Sequence, residues 1–230
     1  MALADDVSEL QLDQLPSFDA EALPALFDEP HRTTKALGRE RTLTRRSPGR
    51  RHRDARRLSA ARDVVTELPR AGESLHLLHV GHFDGIDLLT VALELVGDGD
   101  HLRVASLGVN DRTLEALASM LDRGRVRTVT LLLSHYFSHV DQTLYGRTHA
   151  ELTRRGGRVA IARSHAKVWT FGPYSFEGSG NLRSCKSLEQ LTIVNDAELA
   201  AFHAAWIDEL VAECLKENRP CAAGSQRLKP

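Results

Sequence analysis

The sequence is short of several things. It has three cysteines in 230 residues, Cys185, Cys214 and Cys221, with no Cys-x-x-Cys spacing. That excludes a disulfide scaffold and a thiolate zinc site, and it fits a reducing compartment. Aromatic residues make up only 5 %. No apolar run approaches membrane-spanning length. The start, MALADDVSEL, has no basic segment leading into an apolar one, so a secretory signal is not expected and a cytoplasmic location is.

Charge is missing locally rather than overall. The net charge is −1, yet residues 1–30 carry eight acidic groups and no Lys or Arg. Residues 31–57 then carry eleven Lys/Arg against Glu40 and Asp54. Adjacent blocks of opposite sign with few aromatics resist packing into a core, so residues 1–57 are expected to form a disordered arm. A short helix around 19–27 is the one element expected there. The basic block suits nucleic acid phosphates, and equally a solvated linker that neutralises the acidic block before it.

What remains is regular. Apolar runs at 75–80, 102–107, 126–133 and 158–162 read as strands. Helical spacing is found at 58–68, 86–96, 111–122 and 143–155, with Asn110 placed to cap the third of these. This alternation predicts βαβ units and a mixed, mostly parallel sheet flanked by helices, an α/β fold over residues 58–220. Segments 167–171 and 174–177, joined by Gly172-Pro173, read as a hairpin. A strand at 191–194 and a long amphipathic helix capped by Asp196 and running to Lys216 follow. Residues 221–230 are expected to be a flexible tail.

The chemistry is concentrated in Ser164–Gln190, SHAKVWTFGPYSFEGSGNLRSCKSLEQ. His165 and Lys167 lie two apart where a strand begins, which puts them on one face. Burying such a pair would desolvate both groups, whereas on an open face they make a phosphate site. The lysine supplies a fixed charge, and the imidazole can attack or exchange a proton near neutral pH. Gly178-Ser179-Gly180-Asn181 follows, where two glycines allow a sharp turn with inward N–H groups and Ser179 and Asn181 add donors. Glu189 is placed to accept a hydrogen bond from an imidazole and fix its tautomer.

Plainer readings exist for each group. His165 and Lys167 can be an ordinary exposed pair, and Gly178–Asn181 an ordinary turn. His76, His79 and His82 hint at a metal, but on a strand His79 points away from the other two. Asp84 either lines a cleft or caps the following helix, and the cap is favoured. Trp169 and Tyr174 read as hairpin packing. Cys185 lacks a histidine at useful spacing and is rejected as a nucleophile.

Taken in order, His165-Ala166-Lys167, Gly178-Ser179-Gly180-Asn181 and Glu189-Gln190 resemble the signature of the phospholipase D, or HKD, superfamily. The approach strand Gly157–Ile161 is similar too. The signature's Asp falls near Phe171-Gly172, where this chain has no acid. The resemblance implies a phospholipase D-like fold with one half-site per chain. Catalytic roles would fall to His165, Lys167, Asn181 and Glu189, and phosphate binding to Lys167, Ser179, Gly180 and Asn181. It implies a phosphohistidine intermediate and no metal or other cofactor.

Family enzymes use two motif copies, and only one is found here. Ser134-His135 and Ser138-His139 lack a following lysine and Gly-Ser loop. A homodimer is therefore expected to complete the site. Small single-motif members resemble nucleases more than lipases, so the expected partner is nucleic acid, DNA before RNA, with no membrane. The alternative is a catalytically weak or inactive member that binds nucleic acid or regulates. The GSGNLRSCKSLEQ stretch is also similar to phospholipase D-like proteins of phages and prophages.

Overall fold

The computed structural model describes residues 48–97, 99–182 and 187–217. Expectations about residues 1–47, the tail at 221–230 and Cys185 lie outside the described residues. The elements run α1 (Pro48–Val64), β1 (Ser74–Val80), α2 (Gly85–Val96), β2 (Gly99–Ser106), α3 (Asp111–Asp122), β3 (Val126–Ser134) and α4 (His135–Val140). They continue with α5 (Gln142–Arg154), β4 (Arg158–Ala162), β5 (Val168–Phe171), β6 (Tyr174–Gly178), β7 (Leu188–Asn195) and α6 (Ala197–Glu217).

Side chains start most of these helices. The Asn110 carboxamide oxygen accepts from Thr113 N at 2.8 Å, and Asp141 accepts from Leu144 N at 2.9 Å. Asp196 accepts from the backbone of Glu198 and Leu199 at 2.9 and 3.1 Å. Each satisfies N–H groups that the first helical turn leaves bare. Two elements depart from the sequence reading. The first helix begins at Pro48, so residues 48–57 of the expected arm are helical. The six-residue α4, capped by Ser134, was not foreseen.

The seven strands form one sheet in the order β1-β7-β6-β5-β2-β3-β4. It is mixed and flanked by helices, an α/β fold as expected. The expectation of mostly parallel strands is corrected: among the described residues β2–β3 and β3–β4 are parallel, and the other four pairings are antiparallel. The reason lies at β1. It opens a β-α-β sequence but pairs with β7 instead of β2, joining an antiparallel meander built from the hairpin and the final strand.

The pairing directions sort the loops. The C-terminal ends of β1, β2, β3, β4 and β6 and the N-terminal ends of β5 and β7 all lie at one end of the sheet. Every segment singled out for chemistry sits there. The connection from β4 to β5 leaves an edge strand and enters beside β2, so residues 163–167 pass the ends of β3 and β2.

One face of the sheet packs on α2, α3 and α5, with α1 on α2, around Leu89, Leu102, Leu117, Trp169 and Phe176. The other face packs on α6 through Ala105, Leu132, Ala160, Ile207 and Val211. Phe171 and Phe176 stack at 5.5 Å between centroids, and burying each such side chain stabilises the fold by roughly 1.5–3 kcal/mol.

An ionic cluster ties α1 to this core. Arg112 of α3 contacts Asp84, Asp87 and, at 2.8 Å, Asp54 of α1, and Arg57 of α1 reaches Asp84. Asp84 and Asp87 side chains are 1 % and 3 % exposed. Ion pairs at such depth offset desolvation only while complete. Arg112→Ala leaves the buried Asp87 carboxylate without its guanidinium and Asp84 with Arg57 alone, and is expected to cost about 3 kcal/mol or more in urea denaturation. An unchanged midpoint would show that the cluster is not coupled to folding.

Gly178 ends β6 where a Cβ would overlap the Gln190 carbonyl oxygen on β7. Gly178→Ala must part the β6–β7 pairing. It is expected to lower the melting temperature by several degrees, against little change for Gly180→Ala, whose added carbon meets Glu189 at an ordinary 3.7 Å.

Candidate active site

His165 and Lys167 lie in the β4–β5 connection, not on a strand. β5 is paired with β2 only from Val168, opposite Ala105, and β2 ends one residue later, so nothing remains for 165–167 to pair with. The two side chains meet all the same. The Lys167 ammonium donates to His165 Nδ1 and to the His165 carbonyl, each at 2.9 Å. A neutral imidazole that accepts at Nδ1 carries its proton on Nε2. His165 is exposed and Lys167 half-buried. Burial pushes the Lys167 ammonium below the usual lysine range, and the Glu189 carboxylate opposes that shift.

The Gly-Ser-Gly-Asn loop lies beside them, its first residue held by Gly178 N donating to the Lys167 carbonyl at 3.3 Å. Gly178 and Gly180 do not serve the sharp turn expected of them, since neither has a positive φ. Gly178 is demanded instead by the closeness of β7. The loop is pinned at three points. Ser179 donates its hydroxyl to Glu189 and accepts from Gln190 N at 3.0 Å. The Asn181 oxygen accepts from Leu107 N at 3.2 Å, just past β2. Leu182 is fully buried, its N–H on Ser106 Oγ at 3.3 Å and its carbonyl accepting from Thr113 at 2.7 Å.

Glu189 is expected to bind the imidazole of the motif. The structure places it otherwise. β7 begins at Leu188, three residues before the expected strand, and Glu189 sits on it, 8 % exposed. Its hydrogen bond goes to Ser179, and the imidazole that faces it is His79, its cross-strand partner on β1. His79 stacks on Phe83 with ring centroids 4.5 Å apart. Its Nδ1 is buried without a hydrogen-bond partner among the described residues. Burial holds this imidazole below the ordinary histidine value, against the carboxylates of Glu189 and Asp84.

A small cavity joins these groups, lined among others by His79, Asp84, Trp169, Asn181 and Glu189. Its enclosed volume of ≈ 10 Å³ is about what one water molecule needs. Asp84 therefore fills both roles weighed for it. It stands at the N-cap of α2, its N–H bonded to Asp87 at 2.9 Å, and it lines the cavity. Trp169 is a packing residue as expected, and its ring lies so close to Gly85 that a Cβ there would overlap it.

Other candidates separate from the site. His76 faces the opposite side of β1 from His79 and bonds to Thr192 and Ser74 at 3.1 Å. Tyr174 packs against Phe171 at 5.8 Å. His135 and His139 of α4 touch through their Nε2 atoms at 3.0 Å at the same end of the sheet, without a lysine or Gly-Ser loop of their own. Gly172, where the family signature has its Asp, lies in the β5–β6 turn at the far end of the sheet. The sequence reading weighed His79 only as a metal ligand and did not single out Arg57 or Arg112. His79 alone gave a signal: alternation on β1 turns it toward the face that Glu189 shares.

Among the described residues no helix is long and apolar enough to cross a membrane. No family model matches the sequence, and no curated protein matches it. Solved structures with a similar backbone include Nuc of Salmonella typhimurium, described as a phospholipase D family member. It is 16 % identical, with a TM-score of 0.48, covering 60 % of this chain and 93 % of that one. NucT of Helicobacter pylori is 17 % identical at a TM-score of 0.48, covering 62 % and 98 %. The phosphatidylserine synthase of Haemophilus influenzae Rd KW20 is 13 % identical at 0.45, covering 67 % and 41 %. The chain is similar to these in fold.

Proposed function

We propose that the chain is a phosphodiesterase of the phospholipase D type, acting on nucleic acid, DNA before RNA, as a homodimer. One observation carries this reading: an exposed imidazole bonded to a half-buried ammonium, beside a Gly-Ser-Gly-Asn loop fixed by a buried carboxylate. The motif order in the sequence supports it. So does the position of the site, at the carboxyl ends of the parallel strands β2–β4, where open α/β sheets bind ligands.

In the proposed reaction His165 attacks phosphorus through a ring nitrogen and displaces the bridging oxygen. The leaving oxygen takes a proton from the same histidine of a second copy. That second imidazole, now neutral, draws a proton from water as the water attacks the phosphohistidine, and His165 is released. Lys167 and the Asn181 amide hold the non-bridging oxygens as charge builds on them. Attack by Nε2 of His165 requires its proton to move to Nδ1 of the same ring, so the Lys167 contact at Nδ1 is a resting arrangement that substrate phosphate displaces. Residues 31–57, with their eleven Lys/Arg, supply attraction for a polyanion.

The reading predicts cleavage of DNA, or of bis(p-nitrophenyl) phosphate, in excess EDTA. His165→Asn should lower turnover by at least about a thousandfold with an unchanged circular dichroism spectrum. If two chains share one site, exchange of native chains with an equal amount of His165→Asn chains leaves about a quarter of the activity rather than half. Salt-sensitive DNA binding with no turnover would favour the non-catalytic alternative, and a strict monomer would remove the shared site.

Lys167 gives a pH prediction. Its burial lowers the pH at which it loses charge, so affinity for inorganic phosphate should fall on the alkaline side before an ordinary lysine would titrate. Glu189→Gln removes the opposing charge and should move that fall to still lower pH, read by phosphate titration. No displacement between the two proteins would show that the carboxylate does not act on Lys167.

A further inference from the structure

His79 is left over by the reaction just described, yet its position is particular. β1 and β7 put it directly opposite Glu189, on the face that also carries the cavity. It stacks on Phe83, with Nδ1 buried and without a hydrogen-bond partner among the described residues. The charged groups around it can be named. Glu189 faces it from β7 and Asp84 from the turn before α2. Behind Asp84 stand Arg57 of α1 and Arg112 of α3. Glu189 also acts on Lys167. Glu189 is thus shared by two basic groups, an ammonium and an imidazole.

We propose that His79 is a positioning residue that acts through Glu189: neutral, it leaves the carboxylate on Ser179 and beside Lys167, and protonated, it draws that carboxylate's charge to itself and loosens both. The proposal rests on the reading that Lys167 and the Gly-Ser loop hold the substrate phosphate. Its consequence is an acid-side loss of phosphate binding that does not come from His165. Burial keeps the ring neutral at neutral pH, so the loss sets in only under acid conditions.

Two measurements on the full chain decide it. The first follows the His79 ring by NMR across pH. In Glu189→Gln the midpoint should fall by at least about 0.3 unit, because the facing charge that favours protonation is gone. An unmoved midpoint overturns the proposal. The second compares kcat/KM on bis(p-nitrophenyl) phosphate at pH 7.5 and at a pH below the His79 midpoint found in the first. The loss between the two should be at least about threefold smaller in His79→Gln than in the native protein, since glutamine keeps hydrogen-bonding capacity but cannot titrate. An equal loss overturns it, as does a uniform drop at both pH values, which marks a purely structural role.

His79→Asn serves if the glutamine variant does not fold. If the native protein cleaves no phosphodiester, the functional reading fails. The same pH ratio, taken for binding of inorganic phosphate, then decides the role of His79 by itself.

Discussion

The site hangs on one carboxylate held almost out of water. Three different groups gather at Glu189, which is 8 % exposed: the Ser179 hydroxyl donates to it, its charge favours the Lys167 ammonium, and the His79 ring lies opposite it across the β1–β7 pairing. Each comes from a different part of the chain, a loop after β6, the connection before β5 and the C-terminal end of β1. Burying a carboxylate is costly unless hydrogen-bonding and charged partners accompany it. The same contacts fix the Gly-Ser-Gly-Asn loop and bias the lysine. Folding and site assembly are one event here, because the carboxylate is supplied by a strand and cannot be placed until β7 is paired on both sides.

Much of this was legible in the residues. The strand-forming runs, the caps at Asn110 and Asp196, and the hairpin turn at Gly172-Pro173 are local features, set by propensity and by side chains that satisfy nearby N–H groups. The sheet order was not legible. Whether β1 pairs with β2 or with β7 depends on contacts over more than a hundred residues, and no local pattern states it. The His165–Lys167 pair was read correctly as neighbours but on the wrong support, since both arguments bring side chains two apart into reach. The role given to the glycines of the loop also changed. From sequence, glycine suggests freedom of φ. In the structure Gly178 answers a packing limit set by a strand that lies ten residues further on.

The histidines of β1 show how a sound rule can lead away from a site. Alternation correctly separates His79 from His76, and that separation spoke against a metal. The same turn of the strand that sends His79 away from its neighbours sends it toward Glu189. The question put to the three histidines was only whether they converge on each other. A residue that diverges from a local cluster is still pointing at something, and in a sheet that something is supplied by the strand alongside.

The two ends of the sheet are built to different standards. Among the described residues five of the six glycines with positive φ, Gly72, Gly97, Gly124, Gly156 and Gly172, stand at the end away from the site. That end is a tightly stitched seam: Gly72 N–H bonds to the Asn195 carbonyl, and Asp196 N–H to that of Pro173. The connections that carry the Gly-Ser-Gly-Asn loop and the His165–Lys167 pair are at the other pole. A fluorophore or surface tether attached at the exposed Gly172-Pro173 corner would therefore hold the protein by the end away from His165 and Lys167 and leave both accessible.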